Sequence, residues 1–261
     1  MPHLFSVPHV SRRAWRVWYR NLVVFVLNWK VNFFPPLIDA LLYLFAIGMG
    51  LGTYIKEVDG VPYINFIAPA ILAISVMNSA FFECTYGSYV RMYYQKSFDA
   101  MIATPLAIED VIAGELLWGA THSALYVAVM LPVLAAFRVI SLPLSLLTLP
   151  LAFHGGLMFA AIAMCFTAIT PGIATLNYPS FLFITPMMLF SGTFFPLSLL
   201  PAAFQYIAVA LLPLTHVVAI MRMFTLPALS WMILFHFAWI AAVTVIFSVI
   251  SINLMKKRLI V

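Results

Sequence analysis

Charge is scarce in this chain. Asp, Glu, Lys and Arg together make up 8% of its 261 residues, against roughly 25% in a soluble domain, which excludes a soluble globular fold. Cysteine is scarcer still. Cys84 and Cys165 are the only two, both in or beside apolar runs, and they read as reduced, buried packing rather than a disulfide or metal pair. The histidines His3, His9, His122, His154, His216 and His236 are scattered, so no pair stands at metal-ligand spacing. No serine occupies a Gly-x-Ser-x-Gly elbow, and none of the eleven glycines is followed by lysine, which removes the serine-hydrolase and phosphate-loop signatures. The sequence therefore shows no catalytic constellation and no nucleotide site of its own. If ATP drives the protein, another chain binds it.

What is abundant is apolar surface. Hydrophobic residues make up 65% and the mean hydropathy is +1.08. A bilayer-spanning helix takes about 20 apolar residues, so six spans with connectors use nearly the whole length. The expected fold is an all-α integral membrane protein, one membrane domain over residues 1–261. The formal net charge of +5 matters through its placement and does not imply nucleic-acid binding. No secretory signal peptide is expected, because the first apolar run follows about twenty residues with four arginines and three Trp or Tyr side chains, not a short basic segment.

Taken in order, residues 11–30 read as an amphipathic helix on the membrane surface. Arg12, Arg16 and Arg20 recur every fourth residue, while Trp15, Trp18, Leu22 and Phe25 project to another side. The first span is expected at about 33–52, with Pro35 and Pro36 near its start. Gly48, Gly50 and Gly52 near its end mark places where backbones approach. Asp39 is an intramembrane acid and so a functional candidate, although water access or a structural hydrogen bond is an equal reading. Lys56, Glu57, Asp59 and Gly60 make a polar outer turn.

The second span, about 63–86, carries Glu83 near its inner end, about two turns before Arg91. Helix neighbours lie three or four apart, so an ion pair between the two is possible but not between adjacent positions, and Glu83 is assigned a structural or gating role. Later spans are expected at about 111–137, 144–168, 176–190 and 231–254, with Glu115 at the mouth of the third. Arg138 and Pro143 mark an outer turn, and Thr170-Pro171-Gly172 an inner break. His154, beside Gly155-Gly156, reads as hydrogen-bonded structure.

Two stretches carry more information. Residues 91–115 mix charge with a helical apolar stripe: Phe98, Met101 and Ile102 share one face, and Gln95, Lys96 and Asp99 fall off it. This reads as a short helix outside the bilayer, broken near Thr104-Pro105, and as a docking surface for another protein. The second stretch, 191–227, is too apolar for an exposed loop. Pro196, Pro201, Pro213 and Pro227 cut it into pieces too short to cross singly. With six spans, Arg12, Arg13, Arg16, Arg20, Lys30, Arg91, Lys96, Lys256, Lys257 and Arg258 lie inside, against Lys56, Arg138 and Arg222 outside. A seventh span would send the terminal basic cluster outward, against the positive-inside rule. The stretch is therefore expected as two short helices dipping in from the outer side, their broken backbone shielded by protein.

The residues that carry a resemblance are now in view. Phe98-Asp99, Thr104-Pro105-Leu106, Gly114-Glu115, Phe82-Glu83 to Arg91, and Ser191-Gly192 through Pro196 and Pro201 to Leu212-Pro213-Leu214-Thr215-His216 resemble the membrane subunits of type-2 ABC exporters. Within that family they are most similar to permeases for lipo-oligosaccharide nodulation signals and anthracycline-type drugs. Pro36 and Asp39 depart from the family's uniformly apolar first span.

The resemblance implies that Gln95, Lys96, Phe98, Asp99, Met101, Ile102, Thr104 and Pro105 form the coupling helix seated in the ATPase partner, within a cytoplasmic segment over 91–110. Phe98, Met101 and Ile102 would be the buried anchor, Lys96 and Asp99 the polar rim. Asp39, Glu83, Arg91 and Glu115 would be gating or structural groups within the membrane. Gly192, Pro196, Pro201 and Pro213 would shape an outer re-entrant gate. ATP and magnesium would sit on two partner ATPases, with no cofactor on this chain. A second copy or close relative would complete the path, lined by the first, second and fifth spans, in a bacterial inner membrane with both termini cytoplasmic. Two alternatives stand beside this: an ion-coupled secondary transporter using Asp39, Glu83 or Glu115, and a membrane scaffold without transport activity.

Overall fold

The structure, a computed structural model, describes residues 6–226 and 230–259; His3 and Pro227 lie outside them. The protein is an all-α integral membrane protein. Its elements are α1 (Ala14–Leu27), α2 (Trp29–Tyr54), α3 (Tyr63–Tyr94), α4 (Ser97–Ile102), α5 (Ile108–Ala136), α6 (Leu144–Ile169), α7 (Ile173–Phe190), α8 (Ala202–Leu211), α9 (Pro213–Thr225) and α10 (Met232–Leu259). Six of them, α2, α3, α5, α6, α7 and α10, are long and apolar enough to cross a membrane. Each supplies its own backbone hydrogen bonds, which hydrocarbon cannot replace.

Even-numbered crossing brings both chain ends to one end of the bundle, here the terminal end. Asn253 of α10 donates to the Ser6 carbonyl there at 2.8 Å, and Lys256 reaches Glu109 of α5 at 2.5 Å. At the opposite, distal end, a two-residue ribbon pairs β1 (Glu57–Val58) with β2 (Val61–Pro62), Glu57 opposite Pro62. Asp59 and Gly60 turn it with positive φ values of 51° and 75°, the pattern that Asp-Gly favours in a tight hairpin.

The centre is α3. Ala68, Ala70, Ala73 and Ala80 on it are fully buried, and it packs against α5, α6 and α9. Small side chains let helix backbones approach where no hydrophobic force drives association. The same holds between α1 and α5. A Cβ on Gly114 would lie 2.5 Å from Val17 Cβ and 2.7 Å from the Ala14 carbonyl oxygen, so only glycine lets α1 lie this close. At the end of the first span the side-chain position of Gly48 lies outside what is described, and Gly50 and Gly52 are not approached by another helix of this chain. A Cβ on Gly50 would meet nothing, and one on Gly52 only the Ile47 carbonyl of its own helix.

The face that α1 packs on its own chain is a third one, beside the arginine and aromatic sides. Ala14, Val17 and Asn21 are buried, whereas Trp15 is exposed and stacks on Trp18 with ring centroids 4.0 Å apart. Asn28 separates α1 from α2 and donates from Nδ2 to the Val24 carbonyl at 2.9 Å, while Asn32 does the same for Phe25 at 3.0 Å. Both carbonyls also accept from the Asn28 backbone N–H, so the side-chain amides add a second bond to each at the helix end. The second span runs eight residues beyond its expected end at 86, to Tyr94, for a reason found in its charges.

Candidate functional site

Arg91 does not end α3, because two carboxylates neutralise it within the bundle. Its Nη1 lies 2.7 Å from Glu83 Oε1 and its Nη2 2.6 Å from Glu115 Oε2. The ion pair between Glu83 and Arg91, possible at a spacing that is not that of adjacent helix neighbours, is formed. Residue 87 stands between them and is glycine: a Cβ there would lie 3.2 Å from Glu83 Oε1 and 3.4 Å from Arg91 Nη1. The gap lets the long guanidinium fold back along the helix, whose turns here are widened to the π form over Glu83–Gly87 and Val90–Tyr94.

Glu115, in the first part of α5, is fully buried. It accepts from Asn21 Nδ2 at 2.8 Å and from Ser88 Oγ at 2.8 Å. Trp118 Nε1 donates to Glu83 Oε1 at 2.8 Å, and His122 Nδ1 stands 3.9 Å from Glu83 Oε2. Phe25 meets the Trp118 and His122 rings edge-on. One cluster thus joins α1, α3 and α5 around a single guanidinium. Its partners satisfy charges that would otherwise be costly to bury.

The cluster leads to the terminal surface. Lys96 takes a left-handed conformation (φ 52°) and turns the chain from α3 into α4. Gln95, Lys96, Asp99, Thr104 and Pro105 are exposed, Met101 and Ile102 half-buried. Lys96 Nζ lies 3.9 Å from Asp99 Oδ2. Phe98 is not available as an anchor for a partner. It is 0% exposed because the apolar stripe of α4 faces this chain's own core. Tyr93 and Tyr94 are 55% and 61% exposed and take the apolar part of that surface. Sequence reasoning passed over them, although a Tyr-Tyr pair after a charged residue at the end of an apolar run was the available signal.

Two contacts tie α1 and its start to this segment, and a further set ties the preceding Ser11 to α5. Arg20 Nη2 donates to Ser97 Oγ at 3.2 Å, the Arg13 guanidinium donates to the Pro105 carbonyl, and Asp110 accepts from the Ser11 amide at 2.6 Å and the Ser11 hydroxyl at 2.9 Å. Residues 97–105 are thus hydrogen-bonded to α1 and to its start.

At the distal end, α8 and α9 meet at 90°. Pro201 precedes α8, Pro213 starts α9 and Pro196 precedes a short 3-10 turn, places where a missing N–H costs nothing. Gly192 has φ 71°, and its carbonyl accepts from Arg222 Nη2 at 2.6 Å. Here the structure joins two histidines that the sequence leaves apart. His216 of α9 and His236 of α10 face each other with Nδ1 atoms 2.8 Å apart, and His216 Nε2 lies 2.9 Å from the Val209 carbonyl. A carbonyl only accepts, so His216 carries its proton on Nε2 and His236 donates across the pair. The hairpin is thus latched to the last span. No group of three metal-binding side chains occurs among the described residues.

Asp39 stays outside the cluster. It is exposed on α2, in a groove with Lys30, Val31, Phe34, Pro35 and Ile38, and has no hydrogen-bond or ion-pair partner among the described residues. A second groove of about 400 Å³ runs between α3 and α7, lined by Asn78, Phe82, Tyr86, Asn177, Ser180 and Thr185 among others.

The family model described as ABC-2 type transporter matches residues 12–226. The chain is 34% identical over 246 residues to Nodulation protein J of Rhizobium meliloti (strain 1021), covering 93% of this chain and 92% of the relative. It is 35% identical over 244 residues to Nodulation protein J of Rhizobium leguminosarum bv. viciae, covering 93% of each. It is 25% identical over 218 residues to the inner membrane transport permease YadH of Escherichia coli (strain K12), covering 78% of each. No solved structure matches it. The buried charge cluster, the exposed α4 segment and the bent distal helix pair thus lie within the matched region, and the chain belongs to the ABC-2 type transporter family of membrane permeases.

Proposed function

We propose that this chain is the membrane subunit of an ATP-driven exporter for an amphiphilic, sugar-bearing cargo of the lipo-oligosaccharide kind, working as two copies with two ABC ATPase subunits. The observation that carries this reading is the connection from exposed residues 93–105 to the Arg91 cluster. The segment offers a partner two tyrosines and the exposed Lys96 and Asp99, and whatever moves it moves α1, α3 and α5 together. ATP-driven closure of the partner subunits would press on this surface and rock the spans as rigid bodies. Relatives that match the chain over nearly its full length carry the name Nodulation protein J, which agrees with the resemblance to permeases for nodulation signals from which the cargo class is taken.

The second copy would cover the faces that one chain leaves open. Phe33, Phe34 and Ile38 of α2 and Phe181, Leu182 and Leu189 of α7 are exposed. Asp39 sits on the same face of α2, and a carboxylate facing lipid is costly, so a water-lined path or a partner helix is its natural surrounding. The polar groove between α3 and α7 suits a hydroxyl-rich cargo. Ten basic residues belong to the terminal end by chain order, which would make that end cytoplasmic in a bacterial inner membrane. The ion-coupled alternative loses two of its candidates, since Glu83 and Glu115 are both committed to Arg91, and keeps only Asp39.

The test is to purify the tagged chain in mild detergent from its host and assay for a stoichiometric companion with ATPase activity, beside a Lys96→Glu/Asp99→Lys variant. A companion bound to the unaltered chain and lost from the variant supports the reading. A chain that purifies alone while catalysing gradient-driven transport overturns it.

A further inference from the structure

The bent helix pair at the distal end encloses a cavity of about 270 Å³ against the start of α10. Its walls are mostly apolar, with Leu197, Val209, Val218, Met232 and Phe235 among them. Four polar side chains also line it: His236, which is paired with His216, and three that each hold a hydrogen-bonding atom with no partner among the described residues, Ser191 Oγ, Thr215 Oγ1 and Arg222 Nε. Ser191 and Thr215 are 1% and 3% exposed. Unpartnered donors are rare at such depth, because a buried polar group that has left water needs a replacement.

Arg222 adds a charge to this set. Its Nη2 is occupied by the Gly192 and Thr193 carbonyls, and its guanidinium lies 3.9 Å above the Phe66 ring. None of the ion pairs among the described residues involves it. Asp59 of the distal ribbon attracts it from beyond ion-pair distance, so carbonyl dipoles and a ring face are its direct contacts and no anion among the described residues touches it. The cavity thus combines a cation, two unused hydroxyls and an apolar wall. Its rim includes Met232 and Phe235, which are 50% and 48% exposed at the start of a span and so open the site sideways toward the membrane.

We propose that this cavity binds the head of an anionic amphiphile, with the oxyanion taken by Ser191, Thr215 and Arg222 and the hydrocarbon chain led out along Val218, Met232 and Phe235. A concave, largely apolar site with a few polar groups is the usual form of a small-ligand pocket, and a guanidinium favours carboxylate or phosphate oxygens. The site lies apart from the α3–α7 groove and does not depend on which cargo the protein carries. Both a lipid phosphate and a free fatty carboxylate have this chemistry. An occupant would bridge α9 and α10 where His216 and His236 already meet, and would bias the hairpin toward its latched position.

The intact protein in nonionic detergent is titrated with dodecyl phosphate, dodecanoate and dodecyltrimethylammonium while its unfolding temperature is followed. The proposal expects a saturable rise with one or both anionic probes and none with the cationic one; the stronger anionic probe identifies the source as lipid phosphate or fatty acid. Ser191→Ala/Thr215→Val removes hydroxyls that hold nothing else in the chain, so it keeps the fold, and it should weaken apparent binding about tenfold. Ala219→Leu, which fills the cavity, should abolish the response and gives a second route should the double variant fold poorly. Equal responses to all three probes, or unchanged binding in both variants, would mean ordinary detergent-like adsorption and overturn the site. So would the lack of a saturable response to either anion, leaving a cavity that holds water only.

Discussion

Arg91 of α3 and Glu115 of α5 meet at 2.6 Å, and the exposed segment proposed to dock the ATPase is the connection between their two helices. The pair closes that connection at its base, so the loop moves with the spans. Arg91→Gln would leave Glu115 buried, charged and without its cation, a loss of about 3–5 kcal/mol. Thermal unfolding in detergent should show it. Arg91→Lys should recover only part, since one ammonium cannot reproduce a guanidinium fork that serves two carboxylates. Arg91→Gln/Glu115→Gln should cost clearly less than the sum of the single changes, and additive losses would mean the two residues do not act as a pair.

The gap at Gly87 gives a separate handle on the same cluster. A leucine there occupies the space through which Arg91 reaches Glu83, without removing either charge. The expected outcome for Gly87→Leu is a stability loss of about 1–3 kcal/mol. Glu83→Gln, tested in the Gly87→Leu background, should then add little. A full further loss from Glu83→Gln would show that the pair survives the wedge.

The α4 segment divides into residues that hold the chain and residues that face outward. Phe98→Ala creates a cavity in the core and should cost about 3–5 kcal/mol, whether or not a partner exists. Lys96→Glu/Asp99→Lys alters only an exposed pair, worth well under about 1 kcal/mol to the fold, so its unfolding temperature should match the parent's. If that variant also loses a co-purifying ATPase, the exposed residues are the contact. If only Phe98→Ala loses it, the effect is indirect, through a destabilised base.

The spans could be read from the sequence because apolar runs of bilayer length leave few alternatives, and the hairpin because its prolines divide it. The errors came where charge or amphipathicity was read one helix at a time. Arg91 marks the end of an apolar run on paper, yet α3 continues past it since Glu83 and Glu115 share its charge. The α4 stripe is real, but a stripe does not say whose core it enters, and Phe98 enters its own. Nothing in the spacing of α1 marks Asn21, which is buried and donates to Glu115. The His216–His236 contact depends on a 90° bend between α8 and α9 and the return of α10, which no local spacing encodes.

Asp39 poses the opposite problem, a charge that the single chain leaves without a partner. It is exposed on α2 beside Phe34 and Ile38, on a helix that otherwise reads as bilayer-facing. Since nothing in the fold depends on it, Asp39→Asn should leave the unfolding temperature of the purified protein within the small range of surface substitutions, about 0.5 kcal/mol. Its effect should fall on transport. If this face of α2 lines a hydrated path between two copies, losing the carboxylate should slow cargo movement by about tenfold, an effect of roughly 1.4 kcal/mol on the barrier, while ATPase binding stays intact. Asp39→Leu should slow it further, because an apolar side chain draws lipid rather than water into the groove. Parent-like transport in both variants would place this face against lipid and move the path to the groove between α3 and α7, where Asn78 and Asn177 become the residues to change.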